Sequence, residues 1–400
     1  MIDTLKAIAV TGVGVVSPYG TGLYRLQEGM LAGRCCLAPA AELFPGFRGT
    51  VAQVGELPPL TDGLRYSRTD RLGMIAARDA VAAFTGSANM LRESGIVMAS
   101  TVAGLSEIDP EISKGPAEWY RHGGLSRAAS YPVSRVATSV AEHLGIEGPA
   151  CAVSVACASG AIAIALAANM LLDGAAPMVL AGGSDALCPF TLSGFNSLQA
   201  LDGDPCRPFD RNRKGLNIGE GAAVLALETL DQAKRRGAPI LAVLRGWAMS
   251  NDASHPTAPH KEGAGLAACI QLAIQMAECG VDEVGYVNAH GTGTPLNDIA
   301  ETHAYESAFK CRRDPIPVSS TKSYFGHCLG AAGALEAAIT ILAMRNSALF
   351  PTLRLTDPIE SDRVDWLRGE LRRKPLPVAM SVSAGFGGSN AALVFGSRCA

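Results

Sequence analysis

The chain has 400 residues, 48% hydrophobic and 18% charged, with a formal net charge of −3. Against about 25% charged residues in an average globular protein, this implies a large buried core and room for a surface covered in an oligomer, and it excludes a global basic footprint for nucleic acid. Eleven cysteines with no C-x-x-C pair exclude a zinc ribbon or thioredoxin-like motif, and their odd count and irregular spacing speak against a disulfide framework, so they read as buried thiols of a reducing compartment.

The first apolar run, Ala7 to Val16, has a weak basic flank and no small-residue cleavage site, so it reads as a buried strand and not a signal peptide. Further strand-like runs are Gly95 to Ala99, Ala152 to Val155, Met178 to Gly182 and Ala222 to Leu227. After them come Pro239 to Gly246, Val284 to Asn288, Pro317 to Ser320, Ala379 to Ser383 and Ala391 to Phe395. Helical periodicity marks Arg71 to Thr85, Ser134 to Leu144, Gly265 to Cys279 and Ala331 to Asn346. Alternating apolar strands and helices predict an α/β protein with sheets covered on both faces. The charged, turn-forming stretch Asp231 to Pro239 divides it into two comparable halves, 1–235 and 236–400. The most apolar helix, Ala158 to Leu172, is Ala-rich and too short for a membrane span.

Three loops carry the candidate chemistry. Cys157 lies between a strand-like run and the Ala158 to Leu172 helix, with small neighbours Ala156, Ala158, Ser159 and Gly160. A helix N-terminus favours thiolate, the form that attacks carbonyls. His290 sits at a strand end in VNAHGTGTP, where α/β sheets place reactive groups. His327 stands near the start of a helix in SSTKSYFGHCLGAAG, where the local potential disfavours imidazolium. A neutral ring there donates a hydrogen bond to developing negative charge. Lys322 precedes His327 by five residues and Glu336 follows it by nine, close enough for the two to pair. In Gly385-Phe386-Gly387-Gly388 one aromatic ring is flanked by glycines, the pattern of a mobile gate. No GxGxxG with a distal acid and no GxxxxGK[ST] is present, so a nucleotide-phosphate loop is not indicated.

In order and spacing, AVTGVGVVSPYG, VACASG, RPFDRNRKGLNIGEGAAVLALE, NDASHPTAP, VNAHGTGTP, SSTKSYFGHCLGAAGALE and SAGFGGSNAALVF resemble the thiolase-fold condensing enzymes. The resemblance spans nearly the whole chain and is to the elongating β-ketoacyl-acyl-carrier-protein synthases. It implies two similar α/β halves in a layered α-β-α-β-α sandwich, with Cys157 as acyl nucleophile. It further implies His290 and His327 as the pair that promotes decarboxylation of malonyl-carrier, with Lys322 and Glu336 ordering them. Phe386, between Gly385 and Gly387, becomes the gating aromatic, its N–H joining that of Cys157 in an oxyanion hole. Thr292 and Thr294 would contact the pantetheine arm, and Thr257 lies in a loop that moves with the gate. No metal or diffusible cofactor is implied.

The implied reaction is decarboxylative condensation in type II fatty-acid or polyketide/polyene biosynthesis, in the cytoplasm and away from membranes. The implied partners are an acyl carrier protein and either a second copy or a related chain-length-factor subunit. An acidic carrier would dock on basic residues, for which Arg65, Arg68 and Arg71, or Arg207, Arg211, Arg213 and Lys214, are candidates. The family often has Asn, Phe and Thr where this chain has Val382, Ala384 and Ser389; those departures, with Val102 near the base of the acyl pocket, bear on acyl specificity. A thiolase would need a second cysteine in the GFGG loop, and an initiating synthase would carry Asn at the second basic position. Cys157 argues against a non-catalytic carrier-binding subunit.

Overall fold

The structure is a computed structural model that describes residues 7–44, 47–58, 66–107, 115 and 131–397. Eleven strands form the path of its main sheet. The first half supplies β1 (Ile8–Ser17), β2 (Gly95–Ala99), β3 (Ala150–Val153), β4 (Val179–Asp185) and β5 (Gly221–Thr229). The second supplies β6 (Ala242–Asn251), β7 (Val287–Asn288), β8 (Ile316–Ser319), β9 (Val364–Trp366), β10 (Val378–Gly385) and β11 (Ser389–Gly396). The sheet order is β9-β8-β7-β10-β11-β6-β1-β5-β4-β2-β3. The first half therefore runs 3-2-4-5-1 and the second 8-7-10-11-6, the same order with β9 added at one edge. Within each half the first three strands named are parallel and the last two antiparallel to their neighbours. The halves join where β1 pairs with β6, antiparallel, through Ile8–Leu244, Ala9–Val243 and Val10–Ala242.

Helices cover the strands in three layers. On the outer face of the first half lie α1 (Arg68–Ala80) and α2 (Ser134–Leu144), packed on β1, β2, β4 and β5. Between the halves lie α3 (Ser159–Leu172) and α6 (Ala332–Asn346), which touch each other. Outside the second half lie α4 (Ala264–Met276) and α5 (Pro295–Ala308). The layering is α-β-α-β-α, as the family resemblance implies. The central layer explains the Ala-rich sequence: α6 buries every residue from Ala332 to Met344, so it has no polar face to display. Close approach there is made by glycine. A Cβ on Gly160 would lie 2.7 Å from the Ala334 nitrogen, and one on Gly333 would lie 2.6 Å from the Ala161 nitrogen.

The strand expectations place Gly95 to Ala99 correctly and the others within a few residues, but β9 and α5 are not among the expected elements. α5 carries Asp298, Glu301 and Thr302 on its buried side, so its inward face reads as polar. No helix among the described residues is long and apolar enough to cross a membrane.

Candidate active site

Cys157 follows a tight turn out of β3. Ala156 adopts a left-handed backbone, φ 45°, a costly conformation for a residue with a Cβ. Ser159 holds the turn: the Val155 N–H donates to its Oγ at 2.7 Å, and that hydroxyl donates to the Ala156 carbonyl at 2.5 Å. The thiol is buried, 8% exposed. Burial pushes it up to about 12, against the lowering pull of the Lys322 charge. The helix start favours the anion, and burial opposes it.

His290 and His327 meet beside it. Their ring centroids are 5.3 Å apart at 83°, and both rings are buried. The loop of His290 is anchored by Glu301, whose two oxygens accept the N–H groups of His290 and Gly291, each at 2.7 Å. Glu301 also accepts the Tyr305 hydroxyl at 2.6 Å. Burial, seconded by Asp298, raises Glu301 to about 7 despite these donors.

Lys322 is buried at the centre. Its ammonium donates to the His290 carbonyl at 2.5 Å, to His290 Nδ1 at 3.3 Å and to Glu336. The pair expected between Lys322 and Glu336 is therefore present, and burial still raises Glu336 to about 7. An ammonium has no lone pair, so His290 Nδ1 accepts and Nε2 carries the proton. On the second ring the Leu329 N–H donates to His327 Nδ1 at 3.1 Å, which again puts the proton on Nε2. His327 Nε2 is buried and has no hydrogen-bond partner among the described residues. Both imidazoles are held well below their ordinary value, by burial first and then by the Lys322 charge. Near neutral pH they are uncharged N–H donors.

A cleft of about 530 Å³ brings these groups together; Cys157, His290, His327, Thr257, Thr292, Thr294, Gly385 and Phe386 all line it. Thr292 and Thr294 share a hydrogen bond at 2.9 Å. Gly385 lies close against Cys157: a Cβ there would lie 3.1 Å from the Cys157 and Ala158 nitrogens. The Phe386 ring, 37% exposed, tilts against Phe195 at 5.8 Å. The Phe386 loop is tied to the Thr257 loop, because Gly387 N–H donates to the Pro256 carbonyl at 2.7 Å and Asp252 N–H to the Gly388 carbonyl at 2.8 Å. Phe195, Glu301 and Asp252 are site residues that sequence reasoning missed. The acidic pair in NDIAE, four residues past Gly293, could have flagged Glu301. Of the specificity candidates, Ala384 lines the cleft, whereas Val382 is buried in the second-half core and Val102 packs with Leu187, Leu192 and Leu216.

The basic candidates separate. Arg65 lies outside the described residues. Arg68 is turned inward onto buried Glu220 at 2.6 Å, and Arg71 reaches the Leu57 and Pro58 carbonyls. Arg211 pairs with Asp357 and Glu360, and Arg213 with Asp298. The Arg207 Nε is buried, while Lys214 is exposed and has no ion pair among the described residues. Also among the described residues, no group of three or more His, Cys, Asp and Glu side chains is placed to hold a metal.

Residues 5–233 match the family model for the N-terminal domain of β-ketoacyl synthases, and residues 241–356 match that for the C-terminal domain. The tetracenomycin polyketide synthase ketoacyl synthase alpha subunit of Streptomyces glaucescens is 33% identical, over 97% of this chain and 96% of that protein. The 3-oxoacyl-[acyl-carrier-protein] synthase 2 of Coxiella burnetii is 34% identical, over 97% and 98%. Among solved structures, the ishigamide ketosynthase/chain length factor superposes with a TM-score of 0.89 at 30% identity, covering 98% of this chain and 99% of that one. The ketosynthase ApeO in complex with its chain length factor ApeC, from Xenorhabdus doucetiae, gives 0.86 at 30% identity, with both chains fully covered. Sequence and structure relatives alike span both halves of the chain, and with the cysteine and two histidines gathered in one cleft they lead to a single conclusion: the chain belongs to the β-ketoacyl synthase family.

Proposed function

We propose that this enzyme extends an acyl chain held on Cys157 by two carbons taken from malonyl-carrier protein. The observation that carries the reading is the convergence of one thiol and two neutral Nε2–H donors in one cleft. The Cys157 sulfur attacks the thioester carbonyl of an acyl-carrier protein; the carrier leaves with the thiol proton, and the acyl group stays on the enzyme. Malonyl-carrier then enters. Its C–C bond to the carboxylate breaks, CO₂ departs, and the electron pair passes to the thioester as an enolate. His290 and His327 Nε2–H donate to that oxygen, each being worth about 3 kcal/mol where charge appears only during reaction. The enolate carbon attacks the Cys157 thioester, and the backbone N–H groups of Cys157 and Phe386 receive the new oxyanion. Collapse gives β-ketoacyl-carrier and frees the sulfur, which takes up one proton. Neutrality of both rings supports this, because a proton on Nε2 must be held for donation and not already committed to a carboxylate.

The pantetheine arm fits along Thr292, Thr294 and Thr257, with Phe386 opening and closing behind it. The carrier reads best as docking near Lys214 and Arg207. β3, sequence ACAV, is an edge strand with only β2 beside it, and an apolar edge of that kind pairs readily with another chain. That supports assembly with a second copy or a related chain-length-factor subunit. The ten described cysteines form no disulfide, which suits the cytoplasm. The test is mass spectrometry of the enzyme after incubation with acyl-carrier, followed by malonyl-carrier. The expected result is an acyl adduct on Cys157 that chases into β-ketoacyl-carrier and is absent from Cys157→Ala. Unchanged condensation by Cys157→Ala would overturn the mechanism.

A further inference from the structure

Ala156 is one of several non-glycine residues near the cleft with left-handed backbones; two others are Leu329, φ 51°, and Ala103, φ 48°. Each sits in a tight turn that something must hold. Leu329 is two residues past His327, and its N–H is the group that occupies His327 Nδ1. Ala103 ends the turn Ser100 to Ala103 after β2, next to Val102.

The two turns share one anchor. Asp185, fully buried at the end of β4, accepts from five donors. Three come from the first turn: Ser100 Oγ at 2.5 Å, Thr101 Oγ1 at 2.7 Å and Thr101 N–H at 3.0 Å. The Val102 N–H adds a fourth at 2.9 Å. The fifth crosses between halves: the Gly330 N–H donates to Asp185 Oδ2 at 2.7 Å. The crossing needs two glycines. A Cβ on Gly330 would lie 2.8 Å from Asp185 Oδ2, and one on Gly183 would lie 2.8 Å from the Gly330 carbonyl.

We propose that Asp185 is a positioning residue for the condensation, acting on His327 through the Leu329–Gly330 turn. Holding Gly330 N–H keeps Leu329 left-handed. Leu329 N–H then stays on His327 Nδ1, and the ring proton stays on Nε2, facing the cleft. Without the carboxylate the turn relaxes, Leu329 N–H withdraws and His327 can place its proton on Nδ1, leaving a lone pair where the enolate oxygen needs a donor. The inference rests on the condensing role given to His327 above. The carboxylate must be ionised to accept five donors; burial raises it, and its hydrogen bonds from Ser100, Thr101 and Val102 pull the other way.

The test compares wild type with Asp185→Asn, whose amide turns an N–H₂ toward groups that are themselves donors. Iodoacetamide labelling of Cys157 and decarboxylation of malonyl-carrier are measured separately. The expected outcome is labelling close to wild type, with the decarboxylation kcat lower by about 10- to 100-fold and KM little changed, as for a misplaced catalytic group. Imidazole ¹⁵N resonances should show His327 as the Nε2–H form in wild type and as a mixture in the variant. A general loss of structure would expose the buried Cys157 thiol, raising its labelling while decarboxylation is lost, and would not change the tautomer selectively. Wild-type decarboxylation with unaltered kcat and tautomer in Asp185→Asn overturns the proposal while leaving the condensing role standing. If the variant does not fold, the wild-type spectrum decides: a His327 carrying its proton on Nδ1 overturns the proposal, and the Nε2–H form with a slowly exchanging Gly330 amide supports it.

Discussion

Replacing His327 separates its two hydrogen bonds. Nδ1 accepts the Leu329 N–H at 3.1 Å, and Nε2 has no partner among the described residues. The cost of burying Nε2–H is therefore already present in the resting enzyme and is recovered only when an oxyanion forms. His327→Asn can keep the first bond, because its Oδ1 stands close to where Nδ1 stood, but its amide falls short of the Nε2 position. Losing such a donor costs about 2.7–4 kcal/mol, or 10²–10³ in kcat. His327→Ala loses both bonds, and the stranded Leu329 N–H adds about 1–3 kcal/mol of instability. The assay is CO₂ release from malonyl-carrier alongside thermal unfolding. Both variants should lose decarboxylation to a similar degree, while only His327→Ala melts appreciably lower and Cys157 acylation persists in both. Decarboxylation by His327→Asn within about threefold of wild type, under 1 kcal/mol, would refute the donor role.

Four further outcomes are expected. Because burial holds the Cys157 thiol up to about 12, its alkylation rate should climb with pH through the range 6 to 10; a plateau near pH 8 would contradict this. Lys322→Met leaves Glu336 buried without its counter-charge and should cost about 3–5 kcal/mol in unfolding free energy, together with decarboxylation; an unchanged denaturation midpoint would count against the pair. Burial holds Glu301 at about 7 in the folded chain, against an ordinary glutamate value of 4.5. The folded state then binds the extra proton between those values, so stability falls as pH rises through that window, by ~3 kcal/mol in all. Melting temperatures for wild type and Glu301→Gln across pH 4.5 to 7.5 should diverge in that sense, with the variant flatter. Gly385→Ala puts a methyl 3.1 Å from the Cys157 and Ala158 nitrogens; it should slow acylation and cost about 1–3 kcal/mol, and wild-type acylation kinetics would argue against the close approach.

Much of this site is legible in the sequence because its chemistry sits in short loops between strongly apolar elements. Cys157, His290, Lys322 and His327 each follow a strand-like run, and the strand ends converge once the sheet is built. Glu301 and Asp185 are harder to see. Both are carboxylates turned into the protein, on elements whose periodicity places charged residues outward by default, and their donors are backbone N–H groups with no residue signature. The inward turn of Arg68 is invisible for the same reason, since its partner Glu220 lies 152 positions away. For Cys157 a helix start signals a favourable field but says nothing about how deeply the thiol is buried.

The matching strand orders, 3-2-4-5-1 and 8-7-10-11-6, pair the loops of one half with those of the other. Superposing them in thought sets β3 on β8 and α3 on α6, so the loop that carries Cys157 corresponds to the loop that carries Lys322 and His327. Likewise the turn Ser100 to Ala103 after β2 corresponds to the His290 loop after β7, and the chain beyond Asp185 in β4 corresponds to the Phe386 gate beyond β10. Three pairs of corresponding loops thus differ in content between the two halves. In the first half one loop carries the Cys157 thiol and the turn Ser100 to Ala103 is tied to Asp185; in the second the loops carry His290, Lys322, His327 and Phe386. Exchanging one half alone would therefore break contacts that cross between the halves, such as the Gly330 N–H on Asp185.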